Sequence, residues 1–460
     1  MLNQVYRNIV FPAFETLWKR RGTMRFWREL EQTQWSSREE LDRLQFASLQ
    51  ELVRHTFEHC PYYTNDWNER GLHPDALRSP EDFANWPVIG RDEILQHRMK
   101  MRAQVPGMKL YFKSTGGSSG VPLHFDLDWE ANDRRSAAWH RGYSWAGAGP
   151  GTKQLYVWGV ALGDVPRWKQ WKDYLYTRML FRRYVLNTFD LREETIPEFF
   201  RAHNRYRPEV IVAYTNPLYQ FARSLDERGW KPYSPKSIVV GAEKLHDFQR
   251  ELIERVFDAP VFETYGSREF TLIGAECEKH EGLHLTHENL LVEILDDDGH
   301  QTTAGEEGNI VITDLTNYGM PFVRYANGDR AVAGWSQCSC GRGLPLLKKV
   351  VGRQLDILHT LDGRHIPGEF FPHLIKDYSA IKRFQVIQET ADELSLKIIA
   401  DHTWNASDEA HLRSTIESTT GDAMKLSILR VEEIPLTQAG KLQVVVNRYA
   451  RTNQQTCPTT

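Results

Sequence analysis

Ser114-Thr115-Gly116-Gly117-Ser118-Ser119-Gly120-Val121-Pro122 follows a short apolar, aromatic run, Leu110-Tyr111-Phe112. Three glycines let the backbone approach an anion closely, and the hydroxyls and freed N–H groups can then donate to phosphate oxygens. The stretch is not a Walker loop, because Val121 stands where that motif needs a lysine after its last glycine. It also lacks the GxGxxG spacing of a dinucleotide turn. Taken alone, such a Ser/Gly run fits a plain flexible loop equally well. Its meaning depends on the chain around it.

Working outward, residues 106–352 alternate short strand-like runs with helical patterns. The runs are Gln154–Val160, Val210–Tyr214, Ser237–Val240, Pro260–Thr264 and Asn309–Thr313; Pro217–Arg228 and His246–Phe257 read as helices between them. This alternation predicts an α/β fold, in which substrate loops sit beyond the carboxyl ends of the strands. Residues 1–105 read as mainly helical, with Leu41, Leu44, Leu49, Leu52 and Val53 at helical spacing and Ser36-Ser37-Arg38-Glu39 as a capping box. Met24–Trp35, behind Lys19-Arg20-Arg21, is expected to pack an aromatic face on its own domain rather than on a membrane. From residue 353 onward the pattern changes to a small α+β domain. It opens with a hairpin turn at Asp362-Gly363 and continues through helix 368–377, strands 383–389 and 394–400, helix 407–419 and strand 425–431.

The 460 residues, 41% hydrophobic and 26% charged, describe a globular chain of two or three domains. A formal net charge of −4 supplies no global field for nucleic acid. No signal-peptide pattern opens the sequence, and no apolar run reaches the ~18 residues of a membrane span. Five cysteines without a secretion signal point to a reducing compartment, so a cytoplasmic location is expected and a membrane partner is not.

Five further motifs follow the loop in order: Gly241-Ala242-Glu243-Lys244-Leu245, Glu263-Thr264-Tyr265-Gly266-Ser267-Arg268-Glu269, Val323-Arg324-Tyr325-Ala326-Asn327-Gly328-Asp329, Gly352-Arg353-Gln354-Leu355-Asp356 and Pro435-Leu436-Thr437-Gln438-Ala439-Gly440-Lys441. Each alone has an ordinary reading as a turn or a solvated lysine. The ordered set resembles the adenylate-forming superfamily of acyl-CoA synthetases, luciferases and peptide-synthetase adenylation domains. It is most similar to the phenylacetate–CoA ligase-like branch, which includes CapK-like proteins. His59-Cys60-Pro61-Tyr62-Tyr63 and Cys338-Ser339-Cys340-Gly341-Arg342 look like that branch, and the resemblance covers essentially the whole chain.

The resemblance implies a large multi-layer adenylate-forming domain with a small mobile C-terminal domain. It also implies ATP-dependent activation of a small carboxylic acid as an acyl-AMP. The acceptor would be coenzyme A or an amine, the latter in polysaccharide or secondary metabolism. A non-catalytic nucleotide-binding member and a homodimer also remain open. In the implied site Ser114, Thr115, Gly116, Gly117, Ser118, Ser119 and Gly120 grip the β- and γ-phosphates. Gly241, Ala242 and Glu243 line the adenine pocket, and Tyr265, with Gly266 and Ser267, faces adenine. Asp329 accepts from the ribose hydroxyls, Arg353 contacts ribose or phosphate, and Glu269 gives an oxygen to Mg²⁺. Lys441 carries positive charge to the α-phosphate.

Two departures stand out. Arg268 replaces the usual threonine, and can either contact phosphate or pair with Glu269. Leu355 replaces the first acidic residue at the hinge, leaving Asp356 and putting the domain rotation in question. Trp139, Tyr143 and Tyr214 are candidates to line the acid pocket, or are core. Cys277, Cys338 and Cys340 with His280 or His284 make a closed thiolate–imidazole set suited to a structural zinc. The Gly-Leu-His context implies His284.

Overall fold

Valine, isoleucine and leucine fill the central strands almost without alternation, the signature of strands buried on both faces. In the computed structural model these strands form the parallel half of one large sheet. The structure describes residues 2–115, 123–159, 168, 171, 174–334, 337–353, 358–361, 365–366, 370–375, 378, 380–421, 424–436 and 442–449. The chain divides into two units, Met1–Val351 and Gly352–Thr460.

In the first unit β1 (Leu110–Ser114) and β2 (His124–Asp128) form an antiparallel pair, with Ser114 opposite His124. The large sheet begins with β3 (Gln154–Trp158), β4 (Arg183–Asn187), β5 (Val210–Tyr214), β6 (Ser237–Gly241) and β7 (Val261–Tyr265), all parallel. Every residue of β5 and β6 is buried. The sheet continues with β8 (Gly274–Glu276), β9 (Leu283–Leu285), β10 (Leu290–Leu295), β11 (Glu307–Asp314), β12 (Tyr325–Ala333) and β13 (Leu346–Arg353). Its eleven strands run in the order β10-β11-β12-β13-β9-β8-β7-β6-β5-β3-β4. The helices Ile196–Tyr206, Thr215–Glu227 and Asp247–Phe257 share one apolar cluster with β3, β5 and β6 through Phe199, Phe221 and Phe257.

The helix Arg38–His59 is capped by Ser37, whose hydroxyl accepts from Glu40 N at 3.2 Å. The cap therefore lies one residue beyond the Ser36–Glu39 box, and Leu44 is exposed while Leu41, Leu49, Leu52 and Val53 are buried. Met24, Phe26, Trp27 and Leu30 of the helix Thr23–Thr33 are buried as expected. Cys60 is fully buried, and burial alone pushes its thiol up to about 12, an inert structural position beside His59.

Arg324 fastens the helical segment to the sheet. It lies in the left-handed region at φ +49°, unusual for a residue with a Cβ. Its buried guanidinium donates to Trp86 O at 2.5 Å, to Ala84 O at 2.7 Å and, in a fork, to Glu293 at 2.9 and 3.1 Å. Ile89 N donates to Arg324 O at 2.9 Å.

In the second unit β14 (Leu358–His359) pairs antiparallel with β15 (His365–Ile366), while the expected turn residues Asp362 and Gly363 lie outside the described residues. A second sheet has the order β18-β17-β16-β19, from β16 (Ile381–Gln388), β17 (Glu393–Ala400), β18 (Lys425–Arg430) and β19 (Val445–Asn447). The short β19 was not expected from the sequence; it pairs in parallel with β16. The helix Ala406–Thr420 starts at Asn405, whose side chain caps Ser407 N and Asp408 N.

Removing one member of a buried charge pair leaves the other uncompensated, at about 3–5 kcal/mol. Arg324→Met is therefore expected to lower the urea midpoint by that order, and Glu293→Gln in the same background to restore part of it. A change below about 1 kcal/mol would remove Arg324 from this role.

Candidate active site

Parallel register places Tyr214 opposite Gly241, and Gly241 opposite Thr264, so the carboxyl ends of β5, β6 and β7 share one edge. Ligand sites of open α/β sheets lie outside that edge. Tyr265, the last residue of β7, donates its hydroxyl to Asp329 Oδ2 at 2.6 Å. Asn327 Nδ2 donates to Tyr265 Oη at 2.7 Å and to Asp329 Oδ2 at 3.1 Å, while Asn327 Oδ1 accepts from Asp329 N at 3.0 Å. The β11–β12 register shifts at this point and Gly328 between them adopts φ +81°, a local turn that brings Asn327 and Asp329 to the same tyrosine. The sequence named Tyr265 and Asp329 separately. It gave Asn327 no role, although the Asn-x-Asp spacing on a strand was the available signal.

Glycine is required at two points of this edge. A Cβ on Gly266 would come within 2.1 Å of Thr271 O, and one on Gly241 within 2.4 Å of Thr264 Oγ1. Ser267 O accepts from Thr271 N at 2.8 Å and Ser267 Oγ from Phe270 N at 3.3 Å, closing the turn that carries Arg268 and Glu269. Ala242 adopts φ +67°, turning the chain off β6. Glu243 then accepts from Asn216 N at 2.8 Å and, through its carbonyl, from Thr215 Oγ1 at 3.1 Å.

Arg268 is exposed, and its Nε donates to Ser114 O at 3.2 Å. The turn after β7 is thereby tied to the start of the Ser/Gly loop. Among the described residues no ion pair joins Arg268 to Glu269, which is buried. Thr115 Oγ1 accepts from Leu123 N at 2.8 Å, holding the base of the loop. Gly116, Gly117, Ser118, Ser119 and Gly120 lie outside the described residues, as do Leu355, Asp356 and Lys441. Arg353 ends β13 in the second unit, and its side chain is outside the described set.

Sequence reasoning missed a group of cations around the end of β1. Burial, helped by Arg135 and Arg268, lowers the Lys113 ammonium to about 8. Arg135 is buried and bonded to Asp314, yet among the described residues its Nε and Nη1 have no hydrogen-bond partner. Three positive side chains against one carboxylate give this corner a field that favours anions.

Of the three aromatic candidates, Trp139 and Tyr143 stack on each other at 4.5 Å within a packed layer that includes Val210, Val239 and Phe262. Tyr214 sits at the sheet edge against Trp158, 3.9 Å between ring centres.

A separate constellation joins Cys277, His284, Cys338 and Cys340, whose donor atoms all lie within 4.8 Å of one another. Cys340 Sγ is 3.3 Å from His284 Nε2, and Cys277 Sγ is 3.7 Å from Cys338 Sγ. The other ring nitrogen of His284 is 3.4 Å from Leu344 O, which orients Nε2 toward the sulfurs. His280 turns instead to Glu276, 3.2 Å away, so geometry groups His284 and not His280 with the thiols.

Glu276 also accepts from Arg250 at 2.8 Å and Glu263 N at 2.7 Å. Burial, with Glu276 beside it, pushes the Glu263 carboxyl up to about 7, Arg250 opposing. In the unfolded chain this group ionises near 4.5. Its contribution to stability is full below that pH and is lost as pH rises through about 7. Glu263→Gln is expected to flatten the stability profile between about pH 5 and pH 8, gaining roughly 1–2 kcal/mol at the alkaline end. Urea titrations across that range check this, and an equally steep profile in the variant would contradict it.

Residues 358–448 match the CapK C-terminal domain family. The chain is 25% identical to a phenylacetate-coenzyme A ligase of Thermus thermophilus, over 89% of this chain and 97% of that protein. It is 21% identical to Protein CapK of Staphylococcus aureus, over 97% and 99%. The fold is similar to that of 2-hydroxyisobutyryl-CoA ligase in complex with 2-HIB-AMP, with a TM-score of 0.67 and 18% identity over 89% of this chain and 91% of that one. Over nearly its whole length the chain is thus similar to phenylacetate-coenzyme A ligases and to Protein CapK, its residues 358–448 match the CapK C-terminal domain, and its fold is that of the 2-hydroxyisobutyryl-CoA ligase structure.

Proposed function

We propose that the chain is an ATP-dependent ligase that activates a carboxylic acid as its acyl-adenylate and passes the acyl group to coenzyme A. One observation carries this reading. A tyrosine, an asparagine and an aspartate interlock at the carboxyl edge of the parallel strands, where a turn bearing Arg268 is tied to a Ser/Gly loop. In the first step a substrate carboxylate oxygen attacks the α-phosphorus of ATP and pyrophosphate leaves. In the second, the thiol sulfur attacks the acyl carbonyl, AMP leaves and the thiol proton is released.

Both reactants of the first step are anions, so the site must offset charge and hold an in-line geometry. The Ser114–Gly120 loop would take the β- and γ-phosphates, with Lys113 and Arg135 giving the positive field below it. Adenine would lie against Tyr265 and the backbone of Gly241, Ala242 and Glu243, with Gly266 and Ser267 shaping the turn. Asp329, oriented by Tyr265 and Asn327, would accept from the ribose hydroxyls. Arg353 would contact ribose or phosphate, and Lys441 the α-phosphate and the attacking carboxylate. Arg268 holds the turn in place and would add charge toward phosphate. Mg²⁺, which prefers carboxylate and phosphate oxygens, fits Glu269 and supplies charge neutralisation when bound. Tyr214, at the carboxyl end of β5 against Trp158, would be the aromatic residue that meets the acid.

The match to the CapK C-terminal domain favours a second reading in which an amine of polysaccharide metabolism takes the acyl group. Product mass with coenzyme A present or withheld separates the two. A panel of carboxylic acids should give acid-dependent pyrophosphate and AMP, with Lys441→Ala slower by about 100-fold or more. The ligase reading fails if no acid releases pyrophosphate, or if Lys441→Ala is unchanged.

The four-donor cluster has the composition of a structural, closed zinc site, with all four positions taken by protein. Purification without chelators is expected to yield about one zinc per chain, lost in Cys340→Ser together with a lower melting temperature. A metal-free wild-type protein of unchanged stability would contradict the assignment.

A further inference from the structure

The chain begins with a helical run whose successive turns are Leu2–Val5, Tyr6–Val10, Phe11–Ala13 and Phe14–Trp18. Its inward side is apolar: Phe11 meets Trp27 and Phe181, and Phe14 meets Phe181 and Tyr176. Toward solvent, large apolar side chains stand among polar ones. Ile9 is 63% exposed, Leu17 77% and Trp18 79%, with Val5 exposed on the same run, beside the exposed Gln4, Arg7, Asn8 and Thr16. Apolar groups this large left in water on a helix already packed on its other side mark a contact surface.

A second segment lies against the first. Tyr176 packs on Phe14 at 5.5 Å, and Lys19 Nζ stands 5.6 Å from both rings. Just before Tyr176 come Tyr174 and Leu175, both exposed, and Trp171, 65% exposed and 6.1 Å from Tyr174. Two stretches distant in sequence therefore present tryptophans and leucines to solvent together.

Both stretches are cationic in a chain whose net charge is −4. Residues 1–28 contain six Lys/Arg against one acid, Glu15, and residues 167–183 contain six against one, Asp173. Glu15 is itself buried and faces Arg21 at 3.8 Å, leaving Lys19 and Arg20 exposed at the surface. The helix is fixed rather than appended. Asn3 donates to Glu209 at 2.8 Å and accepts from Arg182 Nη1 at 2.5 Å.

Exposed tryptophan and leucine on the same run as the exposed cations Arg7, Lys19 and Arg20 are groups that settle at a lipid headgroup boundary, the rings among the glycerol esters and the cations on phosphate. No described helix is long and apolar enough to cross a bilayer. We propose that the face formed by Val5, Ile9, Leu17, Trp18, Trp171 and Tyr174 docks this chain onto the surface of a bilayer containing anionic lipid. This departs from the expectation that the chain has no membrane partner. That expectation considered Met24–Trp35, which is largely packed inward, and the surface lies one helix earlier. The inference is independent of the ligase reading, since none of these residues belongs to the candidate site.

Co-sedimentation of the full-length chain with vesicles tests it. One set is phosphatidylcholine alone, and the other contains about one-third phosphatidylglycerol. The wild type is expected to pellet with the anionic vesicles and to be released by high salt. Leu17→Glu with Trp18→Glu, and separately Trp171→Glu, should each weaken binding at least about tenfold at unchanged melting temperature, since the side chains are exposed. The proposal is overturned if the wild type stays in the supernatant with both vesicle types. It is also overturned if these substitutions instead dissociate a dimer seen by light scattering and leave vesicle binding unaltered.

Discussion

The hydrogen bond from Tyr265 to Asp329 is the constraint on which the site depends. It joins the last residue of the parallel β7 to the antiparallel β12, strands that are not neighbours in the sheet. Asn327 closes the triangle and leaves the carboxylate little choice of orientation. The tyrosine is in turn held by a turn that tolerates no side chain at Gly266. Preorganisation of this kind matters because a donor or acceptor already aimed costs no reorganisation when the ligand arrives.

Around that bond the structure adds two further ties. Arg268 bonds the carbonyl of Ser114, which ties the turn after β7 to the end of β1 where the Ser/Gly loop starts. The sequence left two roles for this arginine, phosphate contact or a pair with Glu269. The observed contact is neither; it is a backbone tether that still leaves an exposed guanidinium at the site. Arg324 provides the second tie, anchoring the 84–89 segment behind β12 through a buried, forked pair with Glu293. Only four residues separate this anchor, which immediately precedes β12, from Asp329 within it, so the stability of the frame and the aim of the site are set on one short stretch.

Much of the fold was legible because its signals are local. Val210–Tyr214 reads as a strand on composition alone and is one. The pairing of β14 with β15 and the long strands β16 and β17 after it follow from alternation. The three residues of β19 escaped notice because so short a run carries no periodicity. The site was legible as an ordered set of residue types, whereas its contacts were not. Tyr265 and Asp329 are 64 apart in sequence, and nothing in either motif states that they touch. Lys113 and Arg135 went unread for a related reason: one lies at the end of an unremarkable strand, the other within a helix. Only folding brings their charges together.

The account stands most directly on acid-dependent exchange of labelled pyrophosphate into ATP, measured with coenzyme A withheld, in wild type and in Asp329→Asn. It predicts exchange only when a suitable carboxylic acid is present, reduced at least about tenfold in the variant through a higher KM for ATP. Acid-dependent formation of ADP, or exchange indifferent to Asp329, would contradict it.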